Sequence, residues 1–386
     1  MKIAINCIFC QPKGGGIKEY IVNLTNNLAL YDQDNTYILY VLEDQLDYAQ
    51  RTLPKMFKIK TVPFKSDFLS VVKRSLFSQR FWTKEEKTER FDIFHSPFFH
   101  APKMKKAKLI LTVHDLRLYR YPKTYNPLRY IFLKRAVKDA VHRADHIISI
   151  SNFTKQDLVE LCSVSPEKIT VIHEAINREG FSTKLLEGYQ LPEDYQYLAS
   201  TRFLFSLGHI EPRKNYQRLI EAFKAIKTKE CNTDIKLVIA GKKYVDYKDT
   251  IKLMKETPDV IYLDFVPREL LLWLYKNTSL FVLPSIYEGF GFPPLEAASM
   301  GTISAVSNVS SIPEVCGDCA FYFNPYDVDN MAATIDDALN NEEERLKKKN
   351  LLEMQLNKTS WEQNAAKTIK LYEAIGVRLK GIVSPP

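Results

Sequence analysis

Two short stretches of this chain bring acids, bases and glycines together at spacings suited to holding a polyanion. The first is Gly208-His209-Ile210-Glu211-Pro212-Arg213-Lys214-Asn215, which follows the apolar run Phe203–Leu207 and precedes the helical pattern Leu219, Ile220, Phe223 and Ile226. Asn215 suits a helix N-cap, which puts Arg213 and Lys214 just outside a helix N-terminus. That end carries the positive pole of the macrodipole, so each cation there is unfavourable by about 0.3–1 kcal/mol on a bare surface. A bound diphosphate reverses the sign, because two cations and the free N–H groups then face negative oxygens. Two solvated surface residues remain the alternative on placement alone.

The second stretch follows the strand-like run Leu280–Leu283 and reads Pro284-Ser285-Ile286-Tyr287-Glu288-Gly289-Phe290-Gly291-Phe292-Pro293-Pro294-Leu295-Glu296. Pro293 and Pro294 favour a helix start, with the helix running to about Met300 before Gly301. Gly289 and Gly291 let the backbone approach a ligand closely, having no Cβ to collide with it. Glu296 alone is explained by the helix dipole; Glu288 beside two glycines is not. Two further places match these in the first half. Lys13-Gly14-Gly15-Gly16 joins a strand to a helix and exposes N–H groups at its start. It is neither a G-x-G-x-x-G fingerprint nor a phosphate loop. His114-Asp115 closes the run Leu109–Val113, at the strand end where parallel sheets bind ligands.

These residues need an alternating scaffold, and the chain supplies one. Runs at Ile3–Phe9, Tyr37–Leu42, Ile59–Phe64, Asp92–His95, Leu109–Val113, His146–Ile150 and Ile169–Ile172 are rich in Ile, Val and Phe. Amphipathic stretches such as Ile17, Tyr20, Ile21, Leu24 and Leu28 lie between them. Strands apolar on both faces and separated by helices indicate parallel sheets covered on both sides. The pattern restarts with Phe203–Leu207, Ile235–Ala240, Val260–Phe265, Leu280–Leu283 and Thr302–Val306, after a weakly periodic stretch from about Asn177 to Thr201 that reads as a linker. The expected fold is α/β, two doubly wound domains with a cleft between them. The later run from Glu342-Glu343-Glu344 to Lys347-Lys348-Lys349 reads as a solvated helix face.

Composition sets outer limits. In 386 residues, 54 Lys and Arg against 46 Asp and Glu leave a net charge of +8, and 45% of residues are hydrophobic. A globular chain with a sizeable core follows, and collagen, disulfide miniproteins and disordered tails are excluded. The positive excess suits an anionic ligand or an acidic membrane surface and is too diffuse for nucleic acid. No run approaches the roughly 18 apolar residues of a membrane span, and the first residues read as a strand, not a signal peptide, so a cytoplasmic location is expected. Cys7/Cys10 and Cys316/Cys319 form C-x-x-C pairs. With Cys7 in a strand, residues three apart point to opposite faces, so packing is favoured over metal. The Asp-x-Asp strings at Asp32/Asp34 and Asp327/Asp329 read as turns and caps.

Taken in order, Gly14-Gly15-Gly16, His114-Asp115, Ile148-Ser149-Ile150-Ser151-Asn152-Phe153, Glu211-Pro212-Arg213-Lys214-Asn215, the Glu288–Glu296 pair, Ser311-Ile312-Pro313-Glu314-Val315 and the Trp361 region resemble a family 4 retaining glycosyltransferase of the glycosyl transferases group 1 type. The resemblance covers most of the chain. It implies the GT-B architecture of two facing Rossmann-like domains around an interdomain cleft: an acceptor-side domain over 1–190, a nucleotide-sugar domain over 200–360 and a C-terminal helix over 361–386 that crosses back. It also implies roles. Arg213 and Lys214 would clamp the diphosphate, with Gly208 ahead of them. Glu288 and the Gly289, Phe290 and Gly291 amides would hold the sugar hydroxyls, and Glu296 the ribose. Gly14, Gly15 and Gly16 would approach from the other domain, and His114 would touch the transferred sugar. Such enzymes need no metal or cofactor, since cations and helix N-termini can stabilise developing phosphate charge. His209 stands where many relatives carry arginine, and His173-Glu174-Ala175 replaces a common Asn-Gly-Val type turn.

The implied activity is transfer of a hexose, mannose or glucose, from a nucleoside diphosphate sugar to a glycan or lipid-linked acceptor, in bacterial O-antigen, capsule or exopolysaccharide synthesis. An epimerase or phosphorylase of the same architecture, or a non-catalytic nucleotide-sugar-binding module, are the alternatives. Between Arg117 and Arg135 there are six basic residues and no acid, interleaved with Tyr119, Tyr121, Tyr125, Tyr130 and Phe132, and Lys103, Lys105, Lys106 and Lys108 lie upstream. Aromatics beside cations suit a lipid headgroup surface, so contact with the inner face of the plasma membrane through 103–135 is an expectation alongside a solvated basic helix.

Overall fold

The computed structural model describes residues 1–12, 14–66, 68–99 and 101–380, the side chains of 68–77 and 377–380 excepted. The chain divides into two compact units: Met1–Ala175 with the segment from Ser360 onward, and Ile176–Thr359.

The first unit is built on seven parallel strands: β1 Lys2–Asn6, β2 Thr36–Leu42, β3 Lys58–Val62, β4 Ile93–Ser96, β5 Lys108–Val113, β6 His146–Ser149 and β7 Ile169–Val171, in the order β3-β2-β1-β4-β5-β6-β7. Alternate residues of each strand feed two cores. Ala4, Tyr40, Phe94 and Leu111 enter one, while Ile3, Leu39, Ile93 and Ile110 enter the other. Because both faces are covered, the strands read as continuous apolar runs. The helix Trp361–Lys380 lays Trp361, Ala365, Tyr372 and Ile375 into the second of these cores.

The second unit has six parallel strands: β8 Phe203–Leu207, β9 Lys236–Ala240, β10 Val260–Leu263, β11 Leu280–Leu283, β12 Ser304–Ser307 and β13 Ala320–Phe323, in the order β10-β9-β8-β11-β12-β13. In both sheets the strand order reverses beside the first strand, the Rossmann-like arrangement that leaves loops free to splay at the strand C-termini. The seven and six strands and the helices between them form the α/β, two-domain fold that the alternating pattern predicts.

Four details differ from the sequence reading. First, the sequence reading lacks β13, a short apolar run directly after the 3-10 turn Gly317–Cys319. β1 stops at Asn6, and Cys7–Cys10 is a turn in which the Cys10 N–H donates to Cys7 O at 2.8 Å. The thiols are therefore not splayed across a strand; both are buried and free, and burial pushes the Cys7 thiol up. Third, the stretch read as a linker is part of the second unit, because Phe181, Leu186, Leu191, Tyr195 and Leu198 pack on its core. The change of unit thus falls at Ala175/Ile176, ahead of position 190. Fourth, Asn215 does not cap: it has φ 59°, and its side chain donates to Pro325 O at 2.7 Å and accepts from Arg218 Nη1 at 3.0 Å. Asp32 accepts from the N–H groups of Asp34 and Asn35, and Asp327 caps Val328–Asn340 through the Asn330 N–H, so both Asp-x-Asp strings are local turns and caps.

Candidate functional site

The order of the second sheet brings its two motif-bearing loops together. β8 and β11 are neighbours, and the loop after each starts at the point where the strand order reverses. After β8, Pro212–Lys214 forms one 3-10 turn ahead of the helix Tyr216–Lys227. After β11, the loop 284–291 leads into the helix Phe292–Ser299. The Ile286 N–H donates to Arg213 O at 2.8 Å and locks one loop to the other.

Four charged side chains meet there. Arg213 Nη1 donates to Glu288 Oε2 at 2.8 Å and to Tyr287 O at 2.9 Å, while Lys214 Nζ donates to Glu288 Oε1 at 2.5 Å. Arg213 Nε also lies 2.9 Å from Glu211 Oε1. Lys214, Glu211 and Glu288 are all buried. Burial disfavours the Glu288 carboxylate, but Lys214 and then Arg213 outweigh it and hold the carboxyl down to about 2. Burial also lowers the Lys214 ammonium, with Glu288 pulling it back up and Arg213 pushing it down. Two carboxylates therefore balance two cations. This corrects the picture of bare cations at a helix end: Glu288 bridges both and fixes where they point. An ammonium has three donors, so Lys214 keeps capacity for an anion beyond its bond to Glu288.

Gly208 makes room for this arrangement. A Cβ there would lie 2.8 Å from Lys214 Cε and 3.1 Å from its Nζ, and the residue has φ +152°. Downstream, Gly291 with φ +100° precedes the helix that carries Glu296. The Gly289-Phe290 turn is held from below: Ser311 Oγ donates to Glu288 O at 2.9 Å and Phe290 O at 2.8 Å, and Ser310 Oγ accepts from the Glu288 N–H. The Phe290 ring is buried against Phe292, so the residue would meet a ligand through its backbone. Glu296 has a separate partner, its Oε2 accepting from Tyr275 OH at 2.6 Å. His209 stacks on Tyr244 with centroids 5.4 Å apart.

In the first unit, Gly14, Gly15 and Gly16 start the helix Gly15–Tyr31, which no side chain caps and whose first turn holds no acid; Lys13 lies outside the described residues. His114 follows β5. Its Nδ1 lies 2.7 Å from Glu174 Oε1 and its Nε2 2.9 Å from Pro97 O. Glu174 and Glu211 were not singled out for roles from sequence. Glu174 is sixty positions from its partner, and its only sequence signal is the departure at His173-Glu174-Ala175. Among the described residues, no group of three or more His, Cys, Asp or Glu is arranged to hold a metal ion.

The basic region is only partly free. Arg120 is engaged by Asp157 and Glu160, Lys108 by Asp145, and Lys134 sits over the Tyr119 and Tyr130 rings at 5.5 Å. On the helix Pro127–Arg143, however, Leu128 is 80%, Ile131 46% and Phe132 57% exposed. Among the described residues no helix is long and apolar enough to cross a membrane.

Comparison with known proteins gives consistent matches along the chain. Residues 14–179 match the family described as Glycosyltransferase Family 4, and residues 194–350 match Glycosyl transferases group 1. The chain is 29% identical to O-antigen chain mannosyltransferase B of Escherichia coli, over 73% of this chain and 74% of that protein. It is 32% identical to the serotype-specific mannosyltransferase WbdA of Escherichia coli over 52% of this chain, spanning only about a quarter of that longer protein. In fold it is similar to the sucrose-phosphate synthase of Thermosynechococcus elongatus (TM-score 0.76, 15% identity, 98% of this chain and 100% of that one). It is also similar to Anabaena HepE in complex with UDP-glucose (TM-score 0.70, 14% identity, 97% and 100%).

Proposed function

Because the chain belongs to the glycosyltransferases that combine a family 4 and a group 1 domain, it is a glycosyltransferase, and we propose that it transfers mannose from a nucleoside diphosphate sugar to a growing O-antigen or related surface glycan. Mannose is favoured over glucose by the names of the relatives in sequence. The observation that carries the reading is the meeting of Arg213, Lys214 and Glu288 at adjacent strand ends.

In this reading Lys214 and Arg213 receive the diphosphate and offset the charge that grows on it as the glycosidic bond breaks, the part a divalent ion plays elsewhere. Glu288 aims both cations, and with the Gly289–Gly291 amides it receives sugar hydroxyls. Glu296, oriented by Tyr275, accepts from the ribose. The first N–H groups of the helix Gly15–Tyr31, which no side chain caps, suit a further anion contact; the Gly14 N–H is not among them, since it donates to Gln11 O at 2.9 Å. Retention of anomeric configuration comes with this family assignment.

The test is incubation with labelled guanosine and uridine diphosphate sugars and a lipid-linked glycan acceptor, in the presence of a chelator. Transfer of mannose with retained configuration is expected; epimerised sugar, phosphorolysis, or binding without turnover would refute the reading. We further propose that the exposed Leu128, Ile131 and Phe132 face, flanked by Arg129 and Arg135, rests on an anionic membrane surface at the acceptor's side. Flotation with anionic liposomes at low salt is expected to carry the chain upward, and replacing the three apolar residues by aspartate to abolish it. A wild-type chain left at the bottom would remove the membrane contact.

A further inference from the structure

The His114 ring is held by two oxygens of different kinds. Pro97 O can only accept, so Nε2 carries a proton. Glu174 Oε1 faces Nδ1 at 2.7 Å, and a carboxylate there also requires a donor. A ring that donates through both nitrogens is an imidazolium. We propose that Glu174 is a positioning residue that fixes His114 in this doubly protonated form, so that His114 serves the transfer reaction as a fixed positive charge and not as a carrier of protons. The inference rests on the reading that His114 meets the donor.

The surroundings favour the charged pair over a neutral imidazole beside a carboxylic acid. Among the described residues, the titratable groups that face His114 are Glu174, Asp115, His95 and Tyr20. Burial lowers the His114 ring, but Glu174, the Pro97 carbonyl and Asp115 outweigh it and leave the ring raised. His95, the one neighbouring base, stays neutral: burial and then the His114 charge push it down to about 3. It is tied at Nδ1 to Tyr372 OH (2.6 Å) and at Nε2 to Thr112 Oγ1 (2.8 Å). Tyr20 presents its ring edge to His114 at 4.9 Å, and its hydroxyl is engaged by Thr112. Among the described residues, none of these groups competes for the ring's protons. The pair is also oriented, since the His114 side chain is 18% exposed and that of Glu174 only 4%. The positive member is thus nearer the surface and the negative one deeper. With both N–H groups committed, the ring has no lone pair with which to take up a proton.

The discriminating variant is Glu174→Gln. Its amide can still accept from an imidazolium or, turned over, donate to a neutral Nδ1, so the fold is kept while the charge is removed. Ring nitrogen NMR of the full chain, with the His114 signals assigned by loss in His114→Gln, should show both nitrogens protonated at pH 7 in the wild type. The midpoint should lie above the ordinary histidine value of about 6.5. In Glu174→Gln the ring should be neutral, with kcat for sugar transfer down about tenfold and donor KM changed less than about twofold, because a fixed charge counts most as charge develops in the transfer step. The wild-type rate should fall as pH rises through the His114 midpoint. A neutral ring in the wild type, an imidazolium that survives Glu174→Gln, or an undiminished kcat once the ring is neutral would each overturn the proposal. A His114→Gln enzyme with full rate would instead sink the reading that His114 meets the donor.

Discussion

Replacing Lys214 by methionine isolates one charge at the centre of the site. Methionine keeps an unbranched side chain of similar volume in the buried space beside Gly208, so packing changes little. The cluster goes from balanced to one negative charge in excess, because Glu211 and Glu288 then face Arg213 alone. Two consequences can be sized separately. Loss of a preorganised donor to a developing anion costs about 2.7–4 kcal/mol in the transition state, so kcat should fall roughly 100–1000-fold. Stability should fall by less than the about 3–5 kcal/mol of a fully orphaned buried charge, since Arg213 Nη1 still holds Glu288 at 2.8 Å. The assay is steady-state transfer from labelled donor, with thermal unfolding and circular dichroism on the same preparations. A folded Lys214→Met enzyme with kcat within about threefold of wild type would refute the assignment of Lys214 to the leaving group.

Three other outcomes follow from the same geometry. Gly208→Ala removes no functional group, but its Cβ would lie 2.8 Å from Lys214 Cε and push the ammonium off Glu288; kcat/KM should fall roughly 10–100-fold, and full activity would show that Lys214 can move at no cost. Glu288 is held low, so its ion pairs stabilise fully above its ordinary value of about 4.5 and are lost as pH falls from there through about 2; this is worth on the order of 3 kcal/mol, seen as an acid slope in urea unfolding that Glu288→Gln should lack. Tyr275→Phe should raise donor KM several-fold with a smaller effect on kcat, because Glu296 loses the bond that orients it; a kcat defect with unchanged KM would contradict that role.

Much of the fold can be read in the sequence because parallel strands buried on both faces leave uninterrupted apolar runs, and twelve of the thirteen strands among the described residues announce themselves that way. β13 is the exception, an apolar run that follows the 3-10 turn Gly317–Cys319 without a break. The phosphate-type motif was legible because its parts are contiguous: Gly208 to Lys214 follow one strand, Glu288 to Glu296 the next. What one dimension hides is charge compensation and long-range partnership. Arg213 and Lys214 read as available cations, yet Glu288, more than seventy positions away, takes a bond from each. Asn215 has the right chemistry for a cap, but its backbone is left-handed and its amide is drawn to Pro325 O. Glu174 is the plainest case, since only the folded sheet brings the residues after β7, one strand beyond β6, within reach of His114 after β5.

The most direct check is calorimetric titration with guanosine and uridine diphosphate mannose, chelator present throughout, of the wild-type chain and of the Arg213→Ala/Lys214→Met double variant. The account predicts that one of the two donors binds the wild type, and that its affinity falls by at least about a hundredfold in the folded double variant. Donor affinity that is unchanged in the double variant, or a wild-type chain that binds neither donor in the chelator, would contradict it.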